Sequence, residues 1–146
     1  MKIIDTYNIY KEKYREYVVL IKSGIFYSVY NDDVSIIYSL FHYKIKNVGN
    51  NFNIGFPISN INNVCNKLVN KKINYIILEK ENDNYEVIEK QKFNKNNYNN
   101  YKVDLSKLSY LNNRINNIVN KLNNKVLDKN IDEILFKIEE LIWMIV

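Results

Sequence analysis

The chain has 146 residues, 47% of them hydrophobic, and a formal net charge of +5. A chain of this length buries about two thirds of its unfolded surface, so we expect one compact domain with an appended element. One cysteine excludes an internal disulfide, and a single histidine leaves no Cys/His cluster for zinc. No apolar run approaches the roughly 18 residues of a membrane span, and the start is too polar for a secretory signal. We therefore expect a cytoplasmic protein with no metal, no cofactor and no membrane contact.

The amino-terminal segment predicts a helix followed by two strands. Three tyrosines at spacings of three and four lie between residues 6 and 16, which is typical of a helical stripe. The β-branched runs at 18–21 and 25–30 flank Gly24, which predicts a tight turn. Alternation in the second run separates two sets of side chains, of which one faces the core. The two sets are Ile25, Tyr27 and Val29, and Phe26, Ser28 and Tyr30.

The middle of the chain alternates helices and strands. Asn31 or Asp32 begins a helix over "VSIIYSLFHY", and a strand follows at 42–48. A short strand ends at Pro57, and the next helix has Cys65 on its apolar face, which predicts a packed core cysteine. "INYIILEK" and "NYEVIEK" predict antiparallel strands across an "ENDN" turn. The pattern predicts an α/β (α+β) fold, a mixed β-sheet flanked by helices.

The composition changes after residue 90. Residues 91–104 have few aliphatic side chains and are typical of an exposed linker or loop. Two amphipathic stripes follow over 105–146 and predict a carboxy-terminal helical hairpin. We therefore divide the chain into a mixed α/β unit over 1–90, the linker, and the hairpin. Because two amphipathic helices alone leave apolar surface exposed, we expect a homodimer through these helices.

Three strings in the first 80 residues resemble the amino-terminal domain of the MutS mismatch-repair family. Gly24-Ile25-Phe26-Tyr27-Ser28 is similar to the family's Gly-Asp-Phe-Tyr-Glu, and an acidic helix start follows it at Asp32-Asp33. Gly55-Phe56-Pro57 is similar to the family's Gly-Val-Pro turn, and "KLVNKKINYIILEK" to its Lys-Leu-Val helix end and buried strand. The order and spacing of the strings agree with the family.

The resemblance implies a non-enzymatic module that binds mismatched or distorted duplex DNA. In mismatch-binding members the Phe wedges beside the mispaired base and the Glu two residues later hydrogen-bonds to it. Phe26 keeps the wedge, whereas Ser28 replaces the Glu. The chain has no Walker A loop and no room for clamp and ATPase domains, so no ATP-driven cycle is expected.

Two further groups are open to a structural and a functional interpretation. If 42–48 is a strand, His42, Lys44 and Lys46 form one cationic row, which either contacts phosphates or is a solvated edge. Phe26 is either an exposed wedge or a core residue under the first helix or the tail. Asp32 and Asp33 are explained by capping of a helix amino terminus.

Two hypotheses follow from these residues. The first is DNA binding through Phe26, Ser28, Lys44 and Lys46, with no catalytic residue, since no nucleophile, base and orienting group share a recognisable spacing. The second is a protein-interaction or assembly module, in which the sheet is only a scaffold and no DNA is bound.

Overall fold

The structure is a computed structural model that describes residues 1–145, and it divides into two compact units, Met1–Leu105 and the residues from Ser106 onward. The first unit contains six strands with three helices and a single short helical turn. In chain order they are α1 (Ile3–Lys13), β1 (Val18–Ser23), β2 (Phe26–Tyr30), α2 (Asp32–Phe41), β3 (Lys46–Val48), β4 (Asn51–Pro57), α3 (Ile61–Asn70), β5 (Tyr75–Glu81), β6 (Asn84–Gln91) and α4 (Tyr98–Tyr101). Then come α5 (Leu105–Asn124) and α6 (Ile131–Trp143).

The strands form one mixed sheet in the order β3-β4-β2-β1-β5-β6. β1 and β5 are parallel, and the other neighbours are antiparallel. Two-residue turns join β1 to β2 and β5 to β6, and Asn82 and Asp83 both have positive φ, as a type I′ hairpin turn requires. The predicted α+β fold, with a mixed sheet, flanking helices and carboxy-terminal helices, is confirmed.

The sheet has apolar side chains on both faces, and the two faces are covered differently. One face packs against α2, α3 and α4, and Cys65 of α3 lies in this core as predicted. The other face, which we call the α1 face, includes Val19, Ile21, Tyr30, Ile76 and Leu78 and packs against Tyr7 of α1. A single short helix cannot cover six strands, so part of the α1 face lacks a helix.

Three local expectations are wrong, each because a tertiary contact changes a local pattern. The strand predicted at 42–48 begins only at Lys46, because His42 ends α2 in a left-handed conformation with φ 55°. Ile25 is not a core residue: it lies in the β1–β2 turn and is 69% exposed. Asp33 is not an exposed cap but a fully buried carboxylate.

The segment expected to be an exposed linker packs onto the first unit. Tyr98 is 2% exposed, and the Asn97 side chain donates to the Lys71 carbonyl at 2.9 Å. The Asn74 side-chain oxygen accepts from the Phe93 amide at 2.7 Å. Asparagine side chains thus satisfy backbone groups that a linker would leave to water.

The second unit consists of α5 after its first residue, a turn at 125–130, and α6. No residue of α5 or α6 is buried in the part of the chain that the structure describes. The two predicted helices are therefore present, while their packing as a hairpin stays a prediction.

Candidate nucleic-acid interface

The β1–β2 turn sets the position of Phe26 at the start of β2. Gly24 has φ +60°, a conformation that glycine adopts without a steric penalty, so the chain reverses within two residues. Ser23 then pairs with Phe26 across the hairpin. Phe26 is 45% exposed, whereas its neighbour Tyr27 on the opposite face is buried. The alternation predicted for this strand is therefore present from Phe26 onward, and the Phe26 ring is open to solvent.

The uncovered part of the α1 face forms a concave cavity of about 260 Å³. Register places its residues in rows across the sheet, because Phe26 pairs with Pro57, Ser28 with Gly55 and Tyr30 with Asn53. The lining contains one cation and no carboxylate. The lining residues are Ile3, Ser23, Phe26, Ser28, Tyr30, Lys46, Asn53 and Gly55.

Gly55 keeps the floor of the cavity open beside Ser28. A Cβ built at Gly55 would lie 3.6 Å from the Ser28 hydroxyl, within ordinary contact, so a larger side chain there would fill the space above Ser28. Burial raises the pKa of the Tyr30 hydroxyl, and a hydrogen bond with the Ser28 side chain acts in the opposite direction. The floor therefore has two hydroxyl groups where mismatch-binding members of the resembled family have a carboxylate.

The structure separates the predicted lysines. Lys46 pairs with Asn53 at the edge of the sheet and lines the cavity. Lys44 is exposed in the segment between α2 and β3, outside the cavity, and His42 stacks on Tyr38 at the end of α2. Phe26, Ser28 and Lys46 are thus brought together, and the expected row of three cations on one strand does not form.

A buried carboxylate behind the cavity was missed by sequence reasoning. Asp33 accepts hydrogen bonds from Tyr7, from Tyr98 at 2.7 Å, from Lys11 at 2.6 Å and from the Val19 amide at 3.0 Å. These donors come from α1, β1 and α4, so one side chain joins three elements. The sequence signal was the adjacent pair Asp32-Asp33, which helix capping explains equally well.

The Asp33 network also affects its tyrosines. Burial, and then the negative charge of Asp33, raise the pKa of the Tyr7 and Tyr98 hydroxyls. Both tyrosines therefore donate to the carboxylate as neutral phenols. The network fixes α1 against the sheet, and with it the boundary of the open part of the α1 face.

Other chemistry has little support in the part of the chain that the structure describes. Within residues 1–145, no group of three or more His, Cys, Asp or Glu side chains is placed to hold a metal ion. None of the described helices has both the length and the apolar character to cross a membrane. Burial raises the pKa of the Cys65 thiol to about 11, so this thiol is protonated near neutral pH.

Comparison with known proteins identifies the fold. The sequence model of MutS domain I matches residues 2–124, which include every strand of the sheet and the whole of α5. No curated protein matches the chain.

Proposed function

Because the chain belongs to the MutS domain I family, we propose that it binds duplex DNA through the open part of the α1 face, with Phe26 inserted at a base step. The single observation that carries this proposal is the exposure of Phe26 above a cavity that holds a cation and no carboxylate. An aromatic side chain that partly unstacks a step costs a few kcal/mol, and stacking on a base returns about 1–3 kcal/mol. A mismatched step costs less to unstack, so it is preferred.

Lys46 supplies the phosphate contact in this proposal. It lies two rows from Phe26 along the α1 face, about 13 Å at the rise of a β-strand. This separation allows Phe26 to occupy a base step while Lys46 contacts the backbone nearby. Lys44, exposed two residues earlier, adds a weaker contribution from outside the cavity.

Ser28 changes what the site can recognise. A serine hydroxyl is shorter than a glutamate carboxylate and carries no charge, so its hydrogen bond to a displaced base is weaker. Binding then depends mainly on how easily the duplex is deformed and less on the chemistry of the mispaired base. We therefore expect bulged and mismatched duplexes to be preferred over matched ones, with little discrimination among mismatches.

The test is a binding titration of the full chain against matched, mismatched and bulged duplexes at low salt. Phe26→Ala should abolish the preference for distorted duplexes. Lys46→Gln should weaken all duplexes alike and lower the salt slope by about 0.9 per phosphate contact. Lys67→Gln is the matched control, because Lys67 is exposed on α3, which packs on the opposite face of the sheet. Equal effects of Lys46→Gln and Lys67→Gln would indicate only a general charge effect.

Ser28→Glu tests whether the floor of the cavity faces the base. Gly55 leaves space beside residue 28 for the longer side chain. The change should increase discrimination among mismatches while lowering affinity for matched duplex, because the new carboxylate repels phosphate. Absence of binding by the wild-type chain at low salt would contradict the proposal and leave assembly as the better account of the fold.

A further inference from the structure

The second unit exposes more apolar surface than a soluble unit of its size normally leaves in water. Trp143 is 79% exposed, and no side chain of α5 or α6 is buried. A standard protein interface buries about 800 Å² from each partner, and a single aromatic side chain contributes about 150–250 Å². The exposed apolar side chains of this unit include Leu111, Ile115, Ile118, Ile134, Leu141 and Ile142. This set is large enough for a stable interface.

Charge on α5 is confined to one edge of its apolar stripe. The stripe follows a heptad pattern, with Leu108, Ile115 and Leu122 at position a and Leu111 and Ile118 at position d. The helix has three charged residues, all basic and seven residues apart at position g: Lys107, Arg114 and Lys121. The outer positions are serine, asparagine and tyrosine. Charges that served only solubility would lie on those outer positions.

Charge on α6 has the opposite sign beside a similar stripe. Leu135 and Ile142 take position a, and Ile131, Ile138 and Ile145 take position d. Asp132 and Glu139 then lie seven residues apart at position e, between apolar positions. Glu133 lies on the outer side, where it pairs with Lys137 at 3.3 Å. An acidic row enclosed by apolar side chains matches a basic row on a partner.

The positions of these rows decide the direction of pairing. In a parallel pair of helices position g meets position e, whereas in an antiparallel pair g meets g and e meets e. Helices joined by the short turn at 125–130 run antiparallel wherever they pack on each other. The basic row of α5 therefore does not meet the acidic row of its own α6 in such a pair.

We propose that two copies of this chain associate through their carboxy-terminal helices, with α5 of each copy packed parallel to α6 of the other. A two-fold axis perpendicular to the helices produces this arrangement and makes both contacts equivalent. On one side of each pair Arg114 and Lys121 meet Asp132 and Glu139 of the second copy. On the other side Val119 at position e meets Ile134 and Leu141 at position g.

A membrane surface is a poorer occupant for these helices. Helices that bind anionic lipid carry lysine and arginine around their apolar face. The most apolar helix here, α6, has four carboxylates against one lysine, Lys137. The acidic row would be repelled by anionic headgroups, whereas it is neutralised by α5 of a second copy.

The test uses two charge-reversed full chains, Arg114→Glu/Lys121→Glu and Asp132→Lys/Glu139→Lys. The wild type should sediment as a dimer at about 100 µM. Each variant alone should dissociate at least about tenfold more readily, because like charges then face each other across both contacts. An equimolar mixture should form a heterodimer with wild-type affinity, because an acidic α5 then meets a basic α6 in both contacts.

The matched control is Glu133→Lys/Glu140→Lys, which changes the net charge equally on the outer side of α6 and should leave the dimer intact. Far-ultraviolet circular dichroism of each chain confirms that its helices remain folded. A wild-type monomer at about 100 µM would overturn the proposal. So would a mixture that stays monomeric while one chain with all four changes behaves as wild type, because the charges would then pair within a chain.

Discussion

At the scale of single residues, the adjacent carboxylates Asp32 and Asp33 have opposite environments. Asp33 is fully buried and accepts four hydrogen bonds, one of them from the Lys11 ammonium at 2.6 Å. Asp32 is exposed and pairs with Lys102 at 3.3 Å. A buried charge is stabilised only while its partners remain, so the two positions should respond very differently to the same substitution.

Asp33→Asn should lower the free energy of unfolding by about 3–5 kcal/mol, because the Lys11 ammonium loses its buried counter-charge. Asp32→Asn removes the same charge one residue away and should cost no more than about 1 kcal/mol. Urea unfolding followed by circular dichroism measures both. Equal effects at the two positions would show that Asp33 acts only through helix electrostatics.

The tyrosines of the Asp33 network make stability depend on alkaline pH. Their pKa is raised in the folded state, whereas an unfolded tyrosine titrates at about 10, so the unfolded state loses the proton first. Stability should be constant below about pH 10 and fall above it by at most about 1.4 kcal/mol per pH unit for each tyrosine. Tyr98→Phe should make this fall shallower.

Urea unfolding of the wild type and Tyr98→Phe between pH 7 and 11 checks this expectation. At pH 7 the variant should be less stable by about 1.5–3 kcal/mol, because a hydrogen bond to a charged group is lost. Tyr110→Phe, on exposed α5, controls for the loss of a tyrosine. An unchanged alkaline slope in Tyr98→Phe would contradict the role assigned to Tyr98.

At the scale of elements, the two faces of the sheet carry phenylalanines in opposite environments on neighbouring strands. Phe26 of β2 is 45% exposed on the α1 face, and Phe56 of β4 is 2% exposed on the other face, stacked on Tyr27. The difference arises from coverage, because α2, α3 and α4 pack on one face while α1 covers only part of the other.

Phe26→Ala should therefore cost about 1 kcal/mol of stability, corresponding to loss of a half-buried ring. Phe56→Ala should cost about 3–5 kcal/mol through cavity formation. Thermal or urea unfolding of both variants is the measurement. A loss as large for Phe26 as for Phe56 would identify Phe26 as a core residue and remove the physical basis for the wedge.

At the scale of the whole molecule, the sheet and its buried residues lie within Met1–Leu105. The boundary expected from composition, near residue 90, comes before Tyr98, whose hydroxyl completes the Asp33 network. Leu105 itself packs against the core of the sheet. The first unit should therefore depend on residues 91–105 and not on the rest of α5 or on α6.

A chain that ends at Leu105 should unfold cooperatively with a stability close to that of the full chain. A chain that ends at Gln91 should be strongly destabilised, since it exposes the apolar surface under Tyr98 and leaves Asp33 without that donor. Cooperative urea unfolding of the two chains distinguishes these outcomes. Equal stability of both would restore the boundary near residue 90.

The sequence by itself determined the features that depend on neighbours along the chain. Alternation in β2 separated Phe26 and Ser28 from Tyr27 and Val29, and Gly24 marked the turn before them. Helical spacing placed Cys65 in the core. These features are local, because strand and helix periods set which side chains share a face whatever packs upon them.

Only the tertiary structure decided which of these faces is covered. Phe26 is open because α1 stops short of it, Asp33 is buried because α1, β1 and α4 meet there, and Tyr98 is buried although its surroundings are rich in asparagine. Burial depends on elements distant in the chain, which periodicity does not encode. A single carboxylate can equally cap a helix or anchor a core, and the contacts around Asp33 alone distinguish the two roles.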